Sequence, residues 1–209
     1  DGIAANALRN IVDVGLQGVT AGGKDVLYVA PEDMATATTG GVHIGSQYAD
    51  WFVGDAGNDV FTPNGARFGE VGDTIDLRNG GSDTVIFQQL ANLNTAAAIL
   101  EANFSGTVGV DGDVIDISGL LTAIGYNGVR DASGVASVVE VKADPNNAKG
   151  LLIRVNRPDV GFQDLATITG AAGADISGKT LADLVTGGYL KLGGIEVSGV
   201  STFTLSEND

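Results

Sequence analysis

The sequence predicts a mainly β domain with a few short helices, built as a β-sandwich or as a β-roll-like coil. Three observations support this fold class. The chain has 32 glycines among 209 residues, about twice the usual share, and they separate short apolar runs. Hydrophobic residues make up 44% of the chain, enough to form a core. Long stretches with helical periodicity are scarce, and the length fits a single domain spanning residues 1–209.

The first elements predicted along the chain are short. Residues 4–12 are spaced for one face of a helix, and the run at residues 25–29 is predicted to form a strand. Residues 94–104 are predicted to form a helix, because Asn94 is a suitable N-cap and the alanines that follow favour helix.

A β-rich C-terminal lobe is predicted at about residues 107–209. Strands at 138–142 and 151–155 flank a segment rich in turn residues, which indicates a hairpin. A short helix is predicted at 180–185, and two or three strands follow between residues 189 and 205.

The charge and composition exclude several classes of protein. With 26 acidic and 11 basic residues the net charge is −15, so nucleic acid is not expected as a partner. The absence of cysteine excludes disulfides and thiolate metal sites. No uninterrupted apolar run approaches the roughly 18 residues of a membrane helix, so the chain is not expected to span a membrane. We expect a monomeric fragment of a longer protein.

A nine-residue repeat carries the chemistry of the sequence. Residues 54–61 fit the pattern G-G-x-G-x-D-x-U, with Asp55 in place of the second glycine. Residues 45–52 are an upstream copy in register, so that the aspartates Asp50 and Asp59 are nine residues apart. The copy that would follow has Phe68 at the aspartate position, and the later echoes at Asp73 and Asp83 are ten residues apart.

This spacing has a physical reason. Glycine permits turns in which backbone carbonyls converge, and the aspartate adds a charged oxygen. The three residues after the turn form a short strand whose large apolar residue points inward, so that successive turns stack. Calcium takes six to eight oxygen ligands and would neutralise carboxylates that otherwise repel. We therefore predict Ca²⁺ as cofactor, with ligands drawn from Asp50, Gly54, Asp55, Gly57, Asp59, Asp73 and Asp83.

Two segments resemble a known family. Residues 45–87 resemble the RTX calcium-binding repeats of proteins exported by bacterial type I secretion. Residues 112–121 are similar to a D-V-I-D-L-S-x-L-L element near the C-terminus of large RTX adhesins, where it precedes a hairpin and a terminal strand. In and beside this element, Asp111, Asp113 and Asp116 are spaced either to share a calcium ion or to form a solvated acidic loop.

The resemblance implies a function outside the cell. It suggests a calcium-dependent ligand-binding module of a secreted adhesin on the bacterial surface. Such a module would recognise short peptides or protein C-termini on a host or neighbouring cell. Two alternatives stay open: a structural module for calcium-triggered folding and type I export, or a glycan-binding adhesin domain.

An enzyme is not expected. The sole histidine, His43, cannot form a His-rich zinc site, and neither a G-x-S-x-G elbow nor a phosphate-binding loop is present. We expect His43 to lie in the loop before the repeat, solvated or locally hydrogen-bonded. Trp51 should point outward, where it either stacks on a ligand or packs against a loop. Arg154 and Arg157 either hold a ligand carboxylate or pair with nearby acids.

Overall fold

The computed structural model describes residues 40–65, 71–126 and 135–193. This part of the chain is mainly β, with two sheets and two short α-helices, as the sequence predicted. The predicted helix at 4–12, the predicted strand at 25–29, Phe68 and the predicted strands beyond residue 193 lie outside the described residues.

Seven short strands wind alternately between the two sheets. The odd-numbered strands of this series belong to a five-stranded sheet and the even-numbered strands to a six-stranded sheet, and all of them pair in parallel. Each strand is therefore one side of a flattened coil, a roll of parallel strands. The strands are β1 (Val42–Ile44), β2 (Trp51–Val53), β3 (Val60–Thr62), β4 (Thr74–Asp76), β5 (Thr84–Ile86), β6 (Ala97–Ala102) and β7 (Val114–Asp116).

The nine-residue repeat explains this winding. A turn of six residues and a strand of three carry the chain from one sheet to the other, and the middle residue of the strand faces the interior. Phe52 and Phe61 are 8% and 0% exposed, and their rings meet edge-to-face at 6.0 Å between the sheets. The predicted inward position of both phenylalanines is confirmed.

A hairpin lobe extends the six-stranded sheet. Strands β8 (Val139–Asp144), β9 (Asn147–Arg157) and β10 (Gly161–Gly170) form an antiparallel meander, and β10 pairs in parallel with β6. The predicted hairpin is confirmed, and its turn is tighter than expected because the strands extend to Asp144 and Asn147.

Two α-helices and a last strand complete the described fold. Helix α1 (Ser118–Ala123) follows β7, and helix α2 (Leu181–Thr186) precedes β11 (Leu190–Lys191), which pairs with β7. The predicted helix at 180–185 is confirmed. Its N-cap is Thr180, whose hydroxyl accepts the backbone N–H of Asp183. No helix among the described residues is long and apolar enough to cross a membrane.

The predicted helix at residues 94–104 is wrong. A 3-10 turn occupies Leu90–Leu93, and the alanine-rich run forms strand β6 instead. The strand lies between β4 and β10, where both of its backbone edges are paired. Ala97 and Ile99 face the core, so pairing and burial outweigh the helical preference of alanine.

Candidate metal centre

Two rows of aspartates run along the roll, one on each side. Each aspartate stands immediately before a strand. Asp59, Asp83 and Asp113 precede β3, β5 and β7 and form what we call the long row. Asp50 and Asp73 precede β2 and β4 and form the short row. Asp73 and Asp83, which are ten residues apart, therefore belong to different rows.

Side chain and backbone link successive aspartates of the long row. The backbone N–H of Asp59 donates to Oδ1 of Asp83 at 2.8 Å, and that of Asp83 donates to Oδ1 of Asp113 at 2.9 Å. Gly41, which stands one coil earlier, donates its N–H to Oδ1 of Asp59 at 2.5 Å. These contacts span 18, 24 and 30 residues, so insertions enlarge the coils without breaking the row.

The short row has the same geometry but stops sooner. The backbone N–H of Asp50 donates to Oδ1 of Asp73 at 3.0 Å. Because Thr74 pairs with Ala98, the next position in this row is Ala97, which has no side-chain oxygen. Among the described residues, the two rows therefore differ in the number of carboxylates that they stack.

The two copies of the repeat also match within their turns. Oδ2 of Asp59 accepts the backbone N–H of Asp55 at 2.7 Å, and Oδ2 of Asp50 accepts that of Ser46 at 2.6 Å. Asp55 is fully buried, and its Oδ1 accepts the N–H of Gly57 at 2.5 Å. Ser46 and Asp55 are thus equivalent positions with different side chains.

Glycine is required where the turns approach each other. A Cβ added to Gly54 would lie 3.1 Å from Oδ2 of Asp59 and 3.5 Å from Oδ2 of Asp83. The missing side chain therefore leaves the space that these two oxygens face. Gly81 has φ +98°, and a Cβ there would come within 2.1 Å of the Gly57 carbonyl oxygen. Neighbouring turns of the long row are thus in direct contact.

The centre of the long row is electrostatically unfavourable as it stands. Asp83 is 0% exposed, and its Oδ2 has no hydrogen-bond partner. Burial raises the pKa of Asp83 to about 8, and the charges of Asp113 and Asp59 add to the rise. The backbone N–H of Asp59 and the charge of His43 offset part of this increase. A buried carboxylate with an unused oxygen calls for a proton or a cation.

The pKa values of two further aspartates of the rows are also raised. Burial raises the pKa of Asp73 to about 6, and the charge of Asp50 contributes to the rise. Burial likewise raises the pKa of Asp113 to about 6, with a contribution from Asp111. Hydrogen bonds from backbone N–H groups limit both shifts.

His43 closes the upstream end of the long row. It lies on strand β1, not in a loop, and it is buried rather than solvated, which corrects those parts of the prediction. Its Nε2 is 3.3 Å from Oδ1 of Asp59, so the local hydrogen bond was expected correctly. The ring stacks on Phe61 with the centroids 4.8 Å apart.

These features fit an oxygen-liganded cation. Within the described part of the chain, no group of three or more His, Cys, Asp or Glu side chains converges to hold a metal. A cation between turns would therefore need backbone carbonyls besides the carboxylates, which is compatible with glycine-rich turns and with calcium. The unused oxygen of Asp83 and the space at Gly54 are consistent with such an ion.

The three aspartates of residues 111–116 are not brought together. Asp113 belongs to the long row, and its Oδ2 accepts the backbone N–H of Asn103 at 2.7 Å. Asp111 accepts the N–H of Thr107 within its own loop. Asp116 lies at the end of β7, where it accepts the N–H of Ser118 at 3.0 Å. Of the three, only Asp113 is in a position comparable with Asp59.

The residues predicted to bind a ligand lie apart. Trp51 points outward from β2 and is 45% exposed, as expected. Arg154 lies on β9, which three strands of the same sheet separate from β2, and it is paired with Asp164 at 2.7 Å and Glu140 at 2.9 Å. Arg157 is paired with Asp159 at 3.0 Å. Both arginines therefore make the ion pairs that were the alternative to ligand binding.

Comparisons with family models, with curated proteins and with solved structures gave no significant match.

Proposed function

We propose that this chain is a calcium-dependent folding module of a secreted, RTX-like bacterial protein, without enzymatic activity. In this proposal the roll becomes stable when Ca²⁺ neutralises the aspartate rows. The observation that carries it is Asp83, whose buried carboxylate has an unused oxygen facing Asp59 across the space at Gly54.

The energetics favour such a conditional fold. Burying a charge without a counter-charge costs several kcal/mol, as an order of magnitude, and the long row stacks three carboxylates. A divalent cation between turns would convert that repulsion into attraction. The metal ligands would form only in the stacked coil, so binding free energy would become folding free energy. Calcium-poor surroundings would leave the roll loose, and calcium-rich surroundings outside the cell would close it.

Ligand recognition is a second candidate function. Exposure of Trp51 on the edge strand β2 favours it, because an outward tryptophan can stack on a sugar or a peptide side chain. The pairing of Arg154 and Arg157 with acidic neighbours weakens the idea that they hold a peptide carboxylate. A peptide array and a glycan array, each probed with calcium and with chelator, would identify a surface ligand.

Thermal unfolding tests the folding proposal directly. The metal-free chain is compared in millimolar calcium, in the same concentration of magnesium, and in excess chelator. A ligand present at 100 times its Kd stabilises the folded state by about 2.7 kcal/mol, so calcium should raise the midpoint by several degrees. Magnesium, which prefers a smaller octahedral shell, should raise it less. An identical midpoint in calcium and in chelator would overturn the proposal.

A further inference from the structure

The two copies of the repeat differ at one chemically decisive position. Residues 45–50 and 54–59 form equivalent turns, in which the second residue donates its N–H to the final aspartate. That second residue is Ser46 in one turn and Asp55 in the other. The turn at 54–59 therefore holds one more carboxylate than its counterpart.

The additional carboxylate is buried within the turn that is closed by Asp59 of the long row. Asp55 is 0% exposed and directly follows Gly54, which faces Oδ2 of Asp59 and Oδ2 of Asp83. Water screens a buried charge of this kind much less than it screens a charge at the surface. Asp55 thus makes this position more negative than the short row, where Ser46 is neutral.

The additional carboxylate of Asp55 and its burial should both strengthen the binding of a cation. Affinity for calcium increases with the number of nearby carboxylates and with the rigidity of the site. The turn at 54–59 has Asp55 and Asp59, with Asp83 stacked on it, whereas the turn at 45–50 has Asp50 with Asp73.

We infer that Asp55 makes the turn at residues 54–59 the tightest calcium position of the roll, the first to fill as calcium rises. The inference rests on the proposed calcium-dependent folding. It gives the roll an order of assembly in which the long row binds first and the short row follows.

Calorimetric titration of the full chain with calcium chloride tests this order. The Asp55→Asn variant keeps the size of the side chain and the acceptor for Gly57 but removes the charge. It should weaken the tightest class of sites by about tenfold or more. The matched control is Asp144→Asn, because Asp144 is also buried and accepts the N–H of Asn146 two residues on, but lies in the hairpin lobe. It should leave the affinities unchanged.

The reciprocal variant provides an independent test. Ser46→Asp adds a carboxylate to the equivalent turn and should tighten the weaker class of sites. If Asp55→Asn does not fold even in saturating calcium, this gain alone decides: tighter binding supports the inference and unchanged binding overturns it.

The outcomes separate the inference from the proposed function. An unaltered chain that binds no calcium contradicts the proposed function. A chain that binds calcium equally well with Asp55→Asn and with Asp144→Asn leaves the proposed function standing and overturns the role of Asp55.

Discussion

The roll and the hairpin lobe share the six-stranded sheet but treat charge in opposite ways. In the roll, Asp83 is fully buried and keeps an oxygen without a hydrogen bond. In the hairpin lobe, the main charged group is the network of Arg154 with Glu140 and Asp164, which is partly exposed and fully paired. The hairpin strands bury apolar residues such as Ile153 and Leu165 on their other face.

This difference indicates which of the two regions has a stability that depends on ionic conditions. The hairpin lobe obtains its stability from apolar burial and internal pairing, which change little with ionic conditions. The roll contains charges that the described residues do not neutralise at Asp83. Its stability should therefore depend on calcium and on pH, whereas that of the hairpin lobe should not.

The largest expected effect is that Asp83→Asn changes the stability of the chain in opposite directions with and without calcium. In calcium, Asp83→Asn should destabilise the chain by about 3 kcal/mol, because a charged ligand is lost. In chelator at pH 8, the same variant should stabilise it by about 1–3 kcal/mol, because a buried unneutralised charge is removed. Denaturant unfolding in both conditions measures the two effects.

The control for this sign change comes from the hairpin lobe. Asp164→Asn removes a carboxylate that Arg154 already neutralises, so it should have the same small effect with and without calcium. Loss of stability from Asp83→Asn in both conditions would contradict a calcium-dependent roll.

The next effect is a dependence on pH in metal-free protein. The pKa of Asp83 is raised to about 8 and those of Asp73 and Asp113 to about 6, from an ordinary value of 3.8. The folded state therefore holds protons more tightly than the unfolded state. Stability should fall by several kcal/mol as pH rises from about 4 through about 8, and then level off.

Saturating calcium should remove or reverse this dependence, because ligand carboxylates must be ionised to bind. Denaturant midpoints between pH 4 and pH 9, measured with and without calcium, provide the comparison. Metal-free stability that rises across this range would show that the buried carboxylates are neutralised in another way.

Much of the roll could be predicted from sequence, because a nine-residue period fixes which residues face inward. Phe52, Phe61 and the outward Trp51 followed from that period. His43 could also have been found, since it stands one 18-residue coil before Phe61 and pairs with it in register. The period was traced back only to residue 45, so the first strand was missed.

The remainder depends on contacts that the sequence does not display. Coils of 24 and 30 residues stack Asp59, Asp83 and Asp113, and the residues that they contain beyond the regular 18 hide the repeat. Asp113 and Asp116 are close in sequence, but Asp113 precedes β7 and Asp116 is its last residue, so they have different partners. The alanine-rich strand β6 was predicted as a helix because its two neighbouring strands are distant in sequence.

A smaller difference is expected between the two rows. Asp59→Ala should reduce calcium occupancy more than Asp50→Ala, because Asp59 belongs to the row of three and also binds the turn of Asp55. We expect an additional loss of about 1–2 kcal/mol in calcium-dependent stability. Metal analysis after gel filtration in limiting calcium counts the ions retained. Equal occupancy in the two variants would remove the distinction between the rows.

The smallest effect is expected in the hairpin lobe, at Arg154. Arg154→Leu removes ion pairs with Glu140 and Asp164, whose side chains are 39% and 52% exposed. Pairs of this kind contribute about 0.2–1 kcal/mol each, so unfolding should shift only slightly. Because the network lies outside the aspartate rows, the shift should be equal in calcium and in chelator. A substantially larger loss in calcium alone would mean that the two regions are coupled through β6 and β10, and that the hairpin lobe shares the roll's dependence on the ion.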